Sequence, residues 1–356
     1  MPSRSLATLF VAVALALALA TALVAPHFFP GLRPRPSTGT RLLPSLTRVQ
    51  AWFNTAPLAP DSLHRRPVAL VLWSDTDPAG LAALPVAEAW HRAYGPLGAR
   101  VIAVHVPEYD FSSDTSVAAG VVRRLGLTLP VADDAGAVIE AALGGAVDGP
   151  HVVVADERGA IVVDTVSDLG AAQLALRSAA GRMHPGAPLP PLLDVSLPAR
   201  VRTVPLASGR VESGPLRGLP AGHAAVFTAE FRYQEGGTAW APYPVGGWRT
   251  GAEGLTSTRG GAANFVAIRY SASRAGVVGT PPRGQSARIW LLRDDRWPRP
   301  EERGEDVAAD GRGAASVLVT VPRIYWIDRG EGERVLKLSP ETPGVTVNAF
   351  VFTGAR

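Results

Sequence analysis

Residues 68–85 read VALVLWSDTDPAGLAALP, and the rest of the chain is organised around them. Residues 68–73 are an unbroken run of apolar strand formers, the pattern of a strand buried on both faces. Ser74-Asp75-Thr76-Asp77-Pro78 breaks the run, and apolar residues then recur at helical intervals through Leu81, Leu84, Ala87, Ala89 and Trp90. Asp77 followed by Pro78 predicts an N-cap and first helical residue, because proline has no N–H to leave unpaired there. A buried strand feeding a helix start concentrates unpaired backbone N–H groups and the positive end of a helix dipole at one point. Such a junction favours anions and stabilises a reactive thiolate.

The 356 residues contain no cysteine, which excludes disulfides, thiolate metal sites and every thiol mechanism. The length suits two domains with real cores. The net charge is +4, with Lys337 the only lysine and arginines scattered through both halves. No basic stripe emerges, so nucleic acid is not an expected partner. No cofactor is expected, and the seven histidines show no ligand spacing for a metal.

Residues 1–25 carry Arg4 and then an apolar run from 6 to 25, long enough to cross a bilayer core as a helix. The expectation is a signal anchor, with a cleaved signal peptide as the rival because Ala20-Thr21-Ala22 resembles a cleavage site. Export of the bulk of the chain follows from either, to a membrane-anchored, extracytoplasmic location. Residues 26–45 read as a Pro/Arg/Gly spacer, and Trp52 and Phe53 as a lid on the domain that follows.

From 46 to 183 the pattern alternates between strand and helix. Strands are expected at 68–74, 100–106, 129–132, 151–156 and 161–166, and helices at 78–94, 116–125, 136–143 and 170–182. Glu157-Arg158-Gly159 signals a hairpin, so the α/β domain should hold a mixed central sheet with helices on both faces. Residues 184–198, rich in proline, read as a linker. From 199 to 356 short strand-like runs alternate with Gly, Pro and charged turns, which predicts an all-β sandwich. Its strands are expected at 225–233, 264–272, 287–292, 315–321, 334–338 and 345–352.

Four short matches in order make the segment 52–182 resemble the thioredoxin-like domain of extracytoplasmic TlpA/DipZ-type thiol–disulfide oxidoreductases (redoxins). They are Trp73 to Gly80 with Leu84-Pro85, Ala89-Trp90-His91-Arg92-Ala93-Tyr94, Val101 to Tyr109, and Pro150 to Asp156 with Gly159 to Ile161. The second half is similar to the β-sandwich, described as carbohydrate-binding-module-like, that follows thioredoxin in DipZ-like proteins; the likeness is best from Gly304 to Phe352. The resemblance implies a dithiol motif whose two cysteine positions are here Asp77 and Gly80, and a cis-proline loop at Gly149-Pro150. With both thiols gone, the dithiol reaction that the resemblance implies has no reactant.

The expected function is therefore a membrane-tethered, non-catalytic binding or scaffold protein of the cell envelope. Its binding face would comprise Thr76, Asp77, Pro78, Ala79, Gly149 and Pro150, open to an envelope protein or an extended peptide by strand addition. The competing expectation is the thiol–disulfide oxidoreductase activity that the resemblance implies. A general-base role for Asp77 with Asp75 or His151 is weaker than a simple helix cap, since no nucleophile stands out. Trp240, Tyr243 and Trp248 form the densest aromatic group and the candidate glycan-stacking platform, against structural packing as the plainer reading. Asp306, Asp310 and Gly311 are reminiscent of a calcium loop, but Ala308 stands where a middle ligand is needed, so an acidic turn is expected.

Overall fold

The structure is a computed structural model that describes residues 46–145, 149–228 and 239–356. The expected anchor and spacer at 1–45 lie outside the described residues, as does the end of the expected strand at 225–233. No described helix is long and apolar enough to cross a membrane.

The α/β half has strands β1 (Ala51–Phe53), β2 (Val68–Trp73), β3 (Arg100–His105), β4 (Val131–Asp133), β5 (His151–Ala155) and β6 (Ile161–Val166). Its helices are α1 (Pro78–Tyr94), α2 (Thr115–Leu125), α3 (Val138–Ala142) and α4 (Leu169–Met183). The sheet order is β1-β4-β3-β2-β5-β6. β2, β3 and β4 run parallel, while β1, β5 and β6 each pair antiparallel with their neighbours. Every residue of β2 is buried. Ala69, Val71 and Trp73 pack with Leu84, Trp90 and Leu176 on one face; Val68, Leu70 and Leu72 meet Ile102, Val104 and Ile139 on the other. The two-residue alternation of a strand thus serves two cores at once. Trp52 and Phe53 are not a lid: they belong to β1, with Trp52 opposite Ala132, and they extend the sheet by one edge strand.

Residues 184–198 are strapped onto α4. The Gln173 side chain donates to Leu193 O and accepts from Leu193 N–H, Arg177 donates to Pro190 O, and Leu193, Val195 and Leu197 pack on the α/β core.

The second half has β7 (Arg202–Pro205), β8 (Ala224–Phe227), β9 (Pro242–Thr250), β10 (Leu255–Ser257), β11 (Phe265–Ser271), β12 (Arg274–Thr280) and β13 (Ala287–Arg293). It continues with β14 (Val307–Ala309), β15 (Ala315–Val319), β16 (Arg323–Arg329), β17 (Glu333–Pro340) and β18 (Thr346–Thr353). One layer is β14-β15-β13-β17-β11-β9, and the other is β9-β10-β18-β12-β16 with β8 beside β9 and β7 beside β18. Side chains from both layers, among them Ile268, Leu291, Leu338, Val277, Tyr325 and Phe350, share one core.

β9 belongs to both layers. Its residues Pro242 to Val245 pair with β11, and from Gly246 onward it pairs with β8 and β10. The change of layer falls at Gly246, whose φ is +87° and where a Cβ would sit 2.4 Å from Asn264 Oδ1. Only glycine meets both demands. The Gly and Pro residues that disguise this stretch as a loop in the sequence are what let it turn the corner.

A charged knot closes one end of the sandwich. Asp328, 1% exposed, accepts from Tyr270 Oη (2.6 Å), Arg334 Nε (2.6 Å) and Arg293 Nη1 (3.1 Å). Arg334 also donates to Ala272 O, Gly330 O and Gly332 O, so its buried charge is fully engaged. Asp328→Asn should destabilise the protein by about 3–5 kcal/mol, because the buried Arg334 guanidinium loses its paired carboxylate and Arg293 loses one of its three. Denaturant unfolding followed by tryptophan fluorescence measures the change.

Candidate functional site

The strand-to-helix junction forms as the sequence requires. The Asp77 carboxylate accepts from Ala79 N–H (3.0 Å) and Gly80 N–H (2.8 Å), and Leu81 N–H closes the first helical turn on Asp77 O. The carboxylate thereby takes two amides that a thiolate at the helix start would exploit. Gly80 is confined: a Cβ there would lie 2.9 Å from Asp77 Oδ2, 3.2 Å from Ser74 N and 3.3 Å from Trp73 Cα. Positions 77 and 80 are therefore coupled, because the cap of one fills the space that a side chain at the other needs.

Behind the junction lies a cluster that sequence reasoning missed. His105 is fully buried, with Nδ1 3.0 Å from Asp133 Oδ1 and Nε2 3.2 Å from Asp75 Oδ1. The Trp73 ring lies 4.7 Å from the imidazole. Trp73, His105 and Asp133 are opposite one another in register across β2, β3 and β4. All three sit at the C-terminal ends of parallel strands, the end where α/β sheets place functional groups. Burial pulls the His105 pKa down, but hydrogen bonds to Asp133 and Asp75, together with their charges, outweigh it and raise it to about 8. The sequence signal was a histidine closing one strand and an aspartate closing the next.

Asp75 is thus committed to His105, and His151 Nε2 to Asp164 Oδ1 at 2.6 Å. Both candidate partners of Asp77 in a general-base pairing are therefore engaged elsewhere. Thr76 is buried, and its hydroxyl donates to Glu108 Oε2 (2.9 Å) and lies 2.9 Å from Ser74 Oγ. Pro78 and Ala79 are buried in the first turn of α1, Gly149 is half-buried, and buried Pro150 accepts from Ser167 N–H. The Gly149–Pro150 bond is trans, not the cis form that the family resemblance implies.

The three candidate sugar-stacking aromatics do not share a surface. Trp248 is fully buried in the sandwich core and donates to Val245 O, because it lies on an inward position of β9. Trp240 is half-buried, edge-on to Phe352 with the Arg202 guanidinium over its ring, and Tyr243 is on β9. Asp306 is held by Arg323 and the Trp326 N–H, and Asp310 caps its own turn at Arg312 and Ala314. The two aspartates therefore flank β14 in separate turns, instead of forming the single acidic turn expected from the sequence.

The α/β half has the mixed sheet and flanking helices that the thioredoxin-like resemblance implies, and it is joined to a large all-β region. No family model matches the chain. Protein DipZ of Mycobacterium bovis and Protein DipZ of Mycobacterium tuberculosis are each 32% identical to it over 94 residues. The match covers 26% of this chain and 14% of those relatives. A putative thiol:disulfide interchange protein DsbE from Chlorobium tepidum is 19% identical, with a TM-score of 0.31, over 34% of this chain and 84% of its own. A secreted Mycobacterium tuberculosis disulfide oxidoreductase is 20% identical, with a TM-score of 0.29, over 34% of this chain and 86% of its own.

Two expectations follow. Asp77→Ala should cost about 1–2 kcal/mol through loss of the cap. Gly80→Ala should cost less in that background than alone, because the Cβ no longer meets the carboxylate; a double-mutant cycle by urea unfolding reads the coupling. The raised pKa of His105 stabilises the fold fully below its unfolded value near 6.5, and this contribution is lost as pH rises through about 8. Stability should therefore fall by about 2 kcal/mol between about pH 6 and pH 9, and His105→Asn should flatten that part of the profile. Unfolding midpoints at the two pH values check it.

Proposed function

We propose that the chain is a redox-inert, thioredoxin-like binding or scaffold protein of the cell envelope, tethered through its N-terminal apolar segment. The observation that carries this reading is the junction itself: Asp77 caps α1 at one former cysteine position, and Gly80 leaves no room beside that cap at the other. The helix start keeps the electrostatics of a redox site while a carboxylate that cannot exchange disulfides occupies it. The partner would be an envelope protein or an extended peptide at the face formed by Thr76, Asp77, Pro78, Ala79, Gly149 and Pro150.

The apolar run at 6–25 supports both export and the tether. Thiol–disulfide oxidoreductase activity, the alternative, would need a thiol that the sequence does not contain. The purified protein should reduce insulin no faster than the uncatalysed background. Turnover above that background overturns the proposal. A photoreactive residue at Ala82, half-buried near the start of α1, should give one recurring protein adduct in the native envelope. A ladder of unrelated adducts counts against the binding role.

A further inference from the structure

The face around the start of α1 is already in contact with another part of the same chain. In β12, β16 and β18, side chains alternate between two surroundings. Val277, Tyr325, Phe350 and Phe352 enter the sandwich core, while Val278, Ile324, Ala349 and Val351 point out of it. A solvent-facing side of an antiparallel sheet carries polar residues at such positions. Here the outward residues are apolar, and none is more than 5% exposed. They form one cluster with Tyr109, from the loop after β3, and Leu81 and Phe111 pack against it. Leu81 lies in the opening turns of α1 and also touches the α/β core, so a single side chain bridges the two halves.

Polar contacts rim this seam. Asp110 N–H donates to Glu253 Oε1 (2.6 Å), at the turn between β9 and β10. Arg210 Nη2 donates to Glu108 Oε1 (2.8 Å), and the other oxygen of the same carboxylate receives the Thr76 hydroxyl. One glutamate therefore connects the degenerate motif loop to the sandwich. Tyr109 and Phe111 stack at 5.2 Å with 5° between planes, which stiffens the loop that carries these contacts.

We infer that the sandwich is a built-in cover for the helix-start face, so that an outside peptide reaches this face only when the two halves part. The inference concerns regulation of the face proposed above and rests on that reading for its partner; its test reads the cover directly and needs no partner. The Asp110 amide is the natural reporter, because its acceptor belongs to the sandwich. In the full chain it should exchange with deuterium at least about tenfold more slowly than in Glu253→Ala, a variant of a rim side chain outside both cores. Equal rates in the two proteins overturn the inference.

A second measurement uses the absence of native thiols. Leu81→Cys provides a single thiol, and its labelling by a small maleimide should speed up about tenfold when Ala349→Arg or the Arg210→Ala/Glu253→Ala pair opens the seam. Unchanged labelling in the rim pair, with circular dichroism intact, overturns the inference even if Ala349→Arg does not fold. If the seam opens as expected but the Ala82 probe in the opened protein still captures no recurring adduct, the binding role fails and the cover stands.

Discussion

The first amides of α1 must find acceptors, and most of what distinguishes this protein follows from how that need is met. Two of them are taken by the Asp77 carboxylate. A carboxylate satisfies donors and dipole together, so the junction is electrostatically complete without a ligand. That completeness fixes Gly80, whose missing side chain makes room for the cap. It also leaves the neighbouring loop side chains free to serve structure: Asp75 turns inward to His105, and Thr76 turns toward Glu108.

The two halves of the molecule answer the same problem in different ways. The α/β sheet buries β2 on both faces with its own helices. The described residues of the sandwich include no α-helix, and the outward side of its β18-β12-β16 surface meets Tyr109, Phe111 and Leu81 instead. Charge follows the same division: buried ions are paired around Asp328 at one end of the sandwich and around His105 at the end of the α/β sheet.

The α/β half was legible in the sequence because its signals are local. The run at 68–73, the Asp77-Pro78 cap and the Glu157-Arg158-Gly159 turn each specify their own geometry, and helix α1 begins and ends at the expected residues. The sandwich was legible at apolar-rich runs such as 265–271 and 346–353, but the expected strands omitted β12 and β16, and at β9 Pro242, Pro244, Gly246 and Gly247 imitate a loop. The site divided along the same line. The cap was readable from two adjacent residues. The Asp75–His105–Asp133 cluster and the seam depend on partners 28 to 143 positions apart, which no local pattern encodes.

The corner strand β9 has a further consequence. Because one strand is hydrogen-bonded into both layers, neither layer is a complete object without the other. Parting the sandwich along its core would require tearing a covalent strand out of one of its two ladders. A chain break at 246–247 would cut the covalent link between the residues that pair with β11 and those that pair with β8 and β10.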